Sequence, residues 1–276
     1  MSKYNKIQHS GDSPYNTKNV LIWLLVIIVL FSSIYFMIQS FNTQTYDSRY
    51  CPKKDKENFG TTAILVDLSD PMQASQEEAL KKELTNLTTT VDGLKVLNKG
   101  DRLAIYLTSS DDVPEKIFDL CNPGSEDERN TNTEGKIIYE QKWKNFFKSV
   151  QTELNKKFNN TDNINQSPII ESIAYVRNKE FNPPNVLGES SKIHDRNNII
   201  VVSDMLQNSN LYSVYKEKKS YAEVLASKPM NLAHINYYHF VVINPKYKKY
   251  QTPALIEWWR NFIIKAKGRN KKVRYL

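Results

Sequence analysis

Residues 61–71 read TTAILVDLSDP, and this segment decides the fold. Thr61 to Leu68 is an apolar, β-type run of the length and character of a strand buried on both faces. Polar residues, Asp67, Ser69 and Asp70, stand at its end, and Pro71 follows. Behind them Ser75-Gln-Glu-Glu78 has capping-box spacing, and Leu80, Leu84, Leu87, Val91 and Leu94 recur at alternating steps of four and three. That is one face of an amphipathic helix.

Strand followed by helix is half of a crossover unit, and the next segments complete it. Arg102 to Thr108 (RLAIYLT) reads as a second strand after Lys99-Gly100-Asp101, and Lys116 to Leu120 as a third, shorter one before Cys121. Trp143, Phe147, Val150 and Leu154 mark a further helix, and Pro168 opens another that buries Ile169, Ile170 and Ile173. Asn197 to Ser203 (NNIIVVS) and Tyr237 to Ile243 (YYHFVVI) are two more buried strands, separated by a polar helical stretch around Leu211 to Ala226. Thr252-Pro253 opens the last helix, which carries Leu255, Trp258, Trp259, Phe262 and Ile263, and Lys265 to Arg274 reads as a basic tail. Near-continuous apolar strands alternating with amphipathic helices predict an α/β, Rossmann-like, doubly wound and mainly parallel sheet.

Ahead of this domain, Val20 to Ile38 holds nineteen residues without a charge (VLIWLLVIIVLFSSIYFMI), close to the roughly 20 that a helix needs to cross a bilayer. The run is too long, and too bulky at Tyr35, Phe36 and Met37, for a cleaved signal peptide. The expected organisation is a cytoplasmic tail over 1–19, a transmembrane helix over 20–38, a polar stalk over 39–59 and one domain over 60–276. Lysines flank the span on both sides, so charge alone does not orient it. The short leading tail favours an N-terminus in the cytoplasm, with the domain in the periplasm or another extracytoplasmic space and the anchor in the inner membrane. There Cys51 and Cys121 could pair; in a cytoplasmic domain they would stay as thiols.

In open α/β sheets ligands bind beyond the carboxyl ends of the strands. Three polar positions meet that condition: Asp67-Leu68-Ser69 after the first strand, the loop from Thr161 to Ser167 ahead of a helix, and Ser203-Asp204 after the fourth principal strand. Carboxylates and hydroxyls there could supply the oxygen shell of a hard divalent cation. In these residues, and in strand and helix order from about Thr61 to Lys265, the chain resembles the von Willebrand factor A family. That family's metal-ion-dependent adhesion site is written Asp-x-Ser-x-Ser, a loop Thr or Ser, and a later Asp. The resemblance implies metal ligands at Asp67, Ser69, Ser167 (or Thr161) and Asp204, with Mg²⁺ or Mn²⁺ as the ion and an acidic group of a partner protein completing its shell. Pro71 departs from the pattern where the family has its second Ser. Each residue also has a structural reading: Asp67 and Ser167 as caps, Asp204 as a turn residue.

Other classes fit less well. Aspartyl-phosphate chemistry would use Asp67 as nucleophile but needs an acid two residues on, where Ser69 stands. No Gly-x-Ser-x-Gly elbow and no phosphate-cradling loop is present, and His9, His194, His234 and His239 read as surface or packing residues. Lys and Arg total 38 against 30 Asp and Glu, a net charge of +8 spread along the chain, which argues against nucleic-acid binding. Two cysteines make no zinc set. The expectation is a membrane-anchored protein-binding module of a bacterial assembly and not an enzyme, with a metal-free scaffold as the alternative. The richness in Asn and Lys fits an AT-rich bacterial genome.

Overall fold

A computed structural model describes residues 17–41, 47–51, 59–87, 96–110, 112–124, 128, 135–158, 166–181 and 196–276. The chain forms two units, Met1–Thr45 and Tyr46–Leu276. In the first, α1 is one helix over Thr17–Phe41. Its described side chains, Val20 to Phe36, are exposed throughout. Among the described residues no helix is long and apolar enough to cross a membrane; the described side chains stop two residues short of Ile38, where the charge-free run ends.

The second unit is an α/β domain. Its strands are β1 (Thr61–Val66), β2 (Arg102–Leu107), β3 (Glu115–Cys121), β4 (Asn197–Ser203), β5 (Ile235–Val241) and β6 (Arg269–Tyr275). They form one six-stranded sheet in the order β3-β2-β1-β4-β5-β6. All neighbours pair in parallel except β2 and β3. The helices are α2 (Ala74–Asn86), α3 (Lys136–Phe158), α4 (Ile169–Phe181), α5 (Tyr221–Ser227) and α6 (Pro253–Lys265).

β1 shows why the sheet is sandwiched. Ala63 and Leu65 pack with Ile173, Val176 and Phe262 on one face, while Ile64 and Val66 pack with Leu80, Leu84 and Phe146 on the other. All four strand residues are fully buried, which contributes about 1.5–3 kcal/mol for each of the larger side chains. A strand covered on both faces cannot show polar alternation, and the unbroken run in the sequence reflects this.

Several boundaries differ from the sequence expectation. α2 starts at Ala74, because Gln76 Oε1 accepts the Gln73 amide at 3.0 Å in place of the predicted Ser75–Glu78 pairing. Val91, Leu94 and Thr161 lie outside the described residues. β5 begins at Ile235, directly after the left-handed His234 (φ 65°). The helical stretch expected over Leu211–Ala226 reduces to α5, capped by Ser220, whose hydroxyl accepts the Glu223 amide. The basic tail is strand β6, whose pairing with β5 extends the sheet. Of the two adjacent tryptophans, Trp259 is buried and donates to Met205 O, and the half-buried Trp258 donates to Lys219 O.

Cys51 and Cys121 form a disulfide. The turn 47–51 that carries Cys51 is built on Asp47, whose Oδ1 accepts the amides of Arg49 and Cys51 at 2.8 and 2.9 Å. Arg49 O in turn accepts the Cys121 amide at 2.9 Å, so part of the expected stalk is docked on β3.

Candidate functional site

The strand order reverses between β1 and β4, because β1 leads outward to β2 and β4 leads outward to β5. That reversal opens a crevice at the carboxyl ends of the two strands. Asp67 follows β1, Asp204 follows β4, and Ser167 reaches the crevice from the segment just ahead of α4. All three are buried, and Ser69 and Asp70 are half-buried.

Each aspartate divides its two oxygens between its own loop and the crevice. Asp67 Oδ1 accepts the Ser69 amide at 3.0 Å and the Thr108 hydroxyl at 2.8 Å, while its Oδ2 accepts the Ser167 hydroxyl at 2.5 Å. Asp204 Oδ1 accepts the Leu206 amide at 2.9 Å, and its Oδ2 accepts from Asn244 Nδ2 at 3.1 Å. The same Asn244 nitrogen lies 2.9 Å from Asp70 Oδ2. One neutral amide thus bridges two acids. No Lys or Arg forms an ion pair with Asp67, Asp70 or Asp204 among the described residues.

The backbone around Asp204 is held in an uncommon conformation. Met205 has φ 66°, a left-handed geometry costly for a side-chain-bearing residue and retained only where neighbours enforce it. Ser203 Oγ accepts the Met205 amide at 3.0 Å, and the buried Trp259 ring donates to Met205 O at 2.9 Å. Ser203 Oγ also lies 3.0 Å from His239 Nε2, and His239 Nδ1 is 3.1 Å from the Tyr237 hydroxyl. Burial pushes His239 down to about 3, so it is neutral and serves the core, as a strand-packing histidine. Gln251 ties the strand tips together, with Nε2 donating to Asp204 O at 3.0 Å and Val242 O at 2.8 Å.

Ser167 is fixed by a two-way backbone bridge with Asn208, at 2.8 and 3.0 Å. Its hydroxyl points to Asp67 and does not cap α4; Gln207 Oε1 instead takes the Ile170 amide at 2.9 Å. Buried Glu171 braces this loop by accepting from Gln207 Nε2 at 2.9 Å and from Ser209.

Lys246 borders the crevice, and Tyr247 and then Asp70 raise the pKa of its ammonium, but among the described residues it forms no ion pair with Asp67 or Asp204. Burial, and then the neighbouring Asp67, push the Asp204 carboxyl up to about 7. Two acids held together away from water resist joint ionisation. Beside them lies a polar hollow of about 190 Å³, bordered by Ser69, Asp70, Ser167, Asp204, Tyr215 and Lys246. Pro71 lines the adjoining cleft with Asn244 and contributes no hydroxyl.

No family model matches the chain, and no curated protein matches it in sequence.

The site is therefore read from its own geometry. Asp67, Ser167 and Asp204 come together as the strand-end positions required, and Ser69 borders the same hollow. Among the described residues no three His, Cys, Asp or Glu side chains gather as a metal cluster. A set of two carboxylates with serine hydroxyls and room for water is still the chemistry of a hard divalent cation, which keeps several waters in its shell. These are donor types that such an ion takes, and Asp204 is raised first by burial and then by Asp67. Thr108, Asn244 and Gln251 are functional neighbours that carry no motif in the sequence. The one signal for Thr108 is its place as the polar residue ending an apolar strand, the same signal that marks Asp67.

Proposed function

We propose that this chain is a membrane-anchored protein-binding module of the von Willebrand factor A type, whose crevice binds Mg²⁺ or Mn²⁺ and through it an acidic group of a partner. The observation that carries this reading is the convergence of Asp67 and Asp204 at the sheet's switch point with no Lys or Arg ion-paired to either among the described residues, Asp204 being raised to about 7 by burial and by Asp67. Asp67, Ser69, Ser167 and Asp204 would hold the ion. When bound, it supplies positive charge and an open coordination position for a carboxylate. Asp67 and Asp204 contribute the negative charge, Ser167 orients Asp67, and Asn244 with Gln251 orient Asp204.

The anchoring part of the proposal rests on α1. Its support is the sequence: the nineteen charge-free residues Val20 to Ile38, whose side chains are described only to Phe36, approach the roughly 20 that a helix needs to cross a hydrocarbon core. The disulfide supports an oxidising, extracytoplasmic place for the domain, hence a cytoplasmic N-terminus and the inner membrane of a bacterial cell as the home of the anchor. Ser69 stands where aspartyl-phosphate chemistry would take an acid, which favours a binder over a phosphoryl-transfer enzyme.

The test is thermal unfolding of the full chain in neutral-lipid nanodiscs, with and without Mg²⁺ or Mn²⁺. Ligand tenfold above its Kd should add about 1.4 kcal/mol to the wild type and nothing to Asp67→Ala. A folded wild type indifferent to both ions would replace this reading with the metal-free scaffold.

A further inference from the structure

The segment after β5 carries three lysines in five residues, Lys246-Tyr247-Lys248-Lys249-Tyr250. Lys246 and Tyr247 border the hollow over the acidic crevice, as does Tyr215 from the segment after β4. Their rings form one cluster, with Tyr215 centred 5.6 Å from Tyr247 and 4.9 Å from Tyr250. Lys246 Nζ lies 4.7 Å from the centre of the Tyr247 ring, and Lys249 Nζ 5.0 Å from that of Tyr250. All three lysines are exposed, and among the described residues none is in an ion pair. This loop is wired to the crevice: Asn244 Oδ1 accepts the Lys246 amide at 3.1 Å, while Asn244 Nδ2 holds Asp204 and Asp70.

We infer that this lysine–tyrosine rim is a docking surface for an acidic, Asp- or Glu-rich segment of a partner protein. The inference rests on the proposed function and adds to it the part of the molecule that selects the partner. Three exposed ammonium groups on one short loop attract and orient an anionic chain; Lys246 borders the hollow, and Lys249 lies over the Tyr250 ring. The hollow beneath is large enough for one side chain to enter. The three rim lysines occupy one short loop, a smaller footprint than the long basic stripe that a nucleic-acid groove calls for.

The probe is fluorescein-labelled hexaglutamate, read by anisotropy against the full chain in neutral-lipid nanodiscs, in Mg²⁺ or in chelator. Saturable, salt-sensitive binding is expected. Lys246→Glu, Lys248→Glu and Lys249→Glu together should weaken it by about tenfold or more, since each exposed charge contact adds only a few-fold. The triple Lys→Arg variant should bind like the wild type. Rim-dependent binding that chelator and Asp67→Ala leave unchanged would uphold the rim and remove the cation from the proposed function. No binding of the peptide by the wild type overturns the inference. So does binding unaltered by the triple Glu variant, or capture of a short oligothymidylate by the same lysines in place of the peptide.

Discussion

Two groups of buried or half-buried acids sit at different places on this sheet and meet opposite fates. Glu180 and Asp119, near the β3 edge, are met by Arg102 at 2.5 and 2.6 Å and by Lys116 at 2.7 and 3.3 Å. Burial raises both carboxyls, but the hydrogen bonds and charges of Lys116 and Arg102 outweigh it, so both end below their ordinary values. Asp67 and Asp204 receive only neutral donors, namely Ser167, Thr108, Asn244 and backbone amides, and Asp204 rises to about 7. The Glu180 group is a closed structural device. The Asp204 group keeps a carboxyl raised by burial and by Asp67, and on the proposed reading it is this group that takes charge from outside.

The contrast can be broken or sharpened in order of effect. The largest change should come from the stapled edge beside the compensated group. Removing the disulfide with Cys51→Ser and Cys121→Ser should cost about 4 kcal/mol in urea unfolding, given the sequence separation of 70. Next, Arg102→Met takes the main partner from Asp119 and one of two cations from Glu180, with an expected loss of about 3 kcal/mol, insensitive to Mg²⁺.

A third effect is a pH slope at the uncompensated pair. Asp204 is raised in the folded state, so the unfolded chain releases its proton first. Stability from this group is complete below the ordinary 3.8 and falls as pH climbs toward about 7. Asp204→Asn should flatten the slope over that window in denaturation curves taken at several pH values. A steeper slope in Arg102→Met than in the wild type, with none at Asp204, would reverse the assignment of roles.

The legibility of these regions follows the same physics. β1 and β4 were plain in the sequence because strands covered on both faces must be apolar throughout, and the acids behind them stood out. β6 was not, because an edge strand with exposed Lys271 and Lys272 shows neither apolar run nor alternation. The crevice was half visible. Asp67, Ser69, Ser167 and Asp204 follow strands or precede a helix, whereas Asn244 and Gln251 act through contacts across the sheet's end that no local pattern encodes. The disulfide needed β3 to run antiparallel to β2, a reversal that the short run Lys116–Leu120 did not announce.

The staple at Cys51 also decides how the domain bears a pull. The shortest covalent route from α1 into the sheet leaves the main chain at Cys51 and enters β3 at Cys121, so residues 52–58 lie outside the load path. A pull applied to the chain ahead of Cys51 would enter the sheet first at the edge strand, held there by Arg102 and Asp119, and only afterwards at the N-terminal end of β1. The crevice lies at the carboxyl end of β1, the other end of that strand from where such a load would arrive.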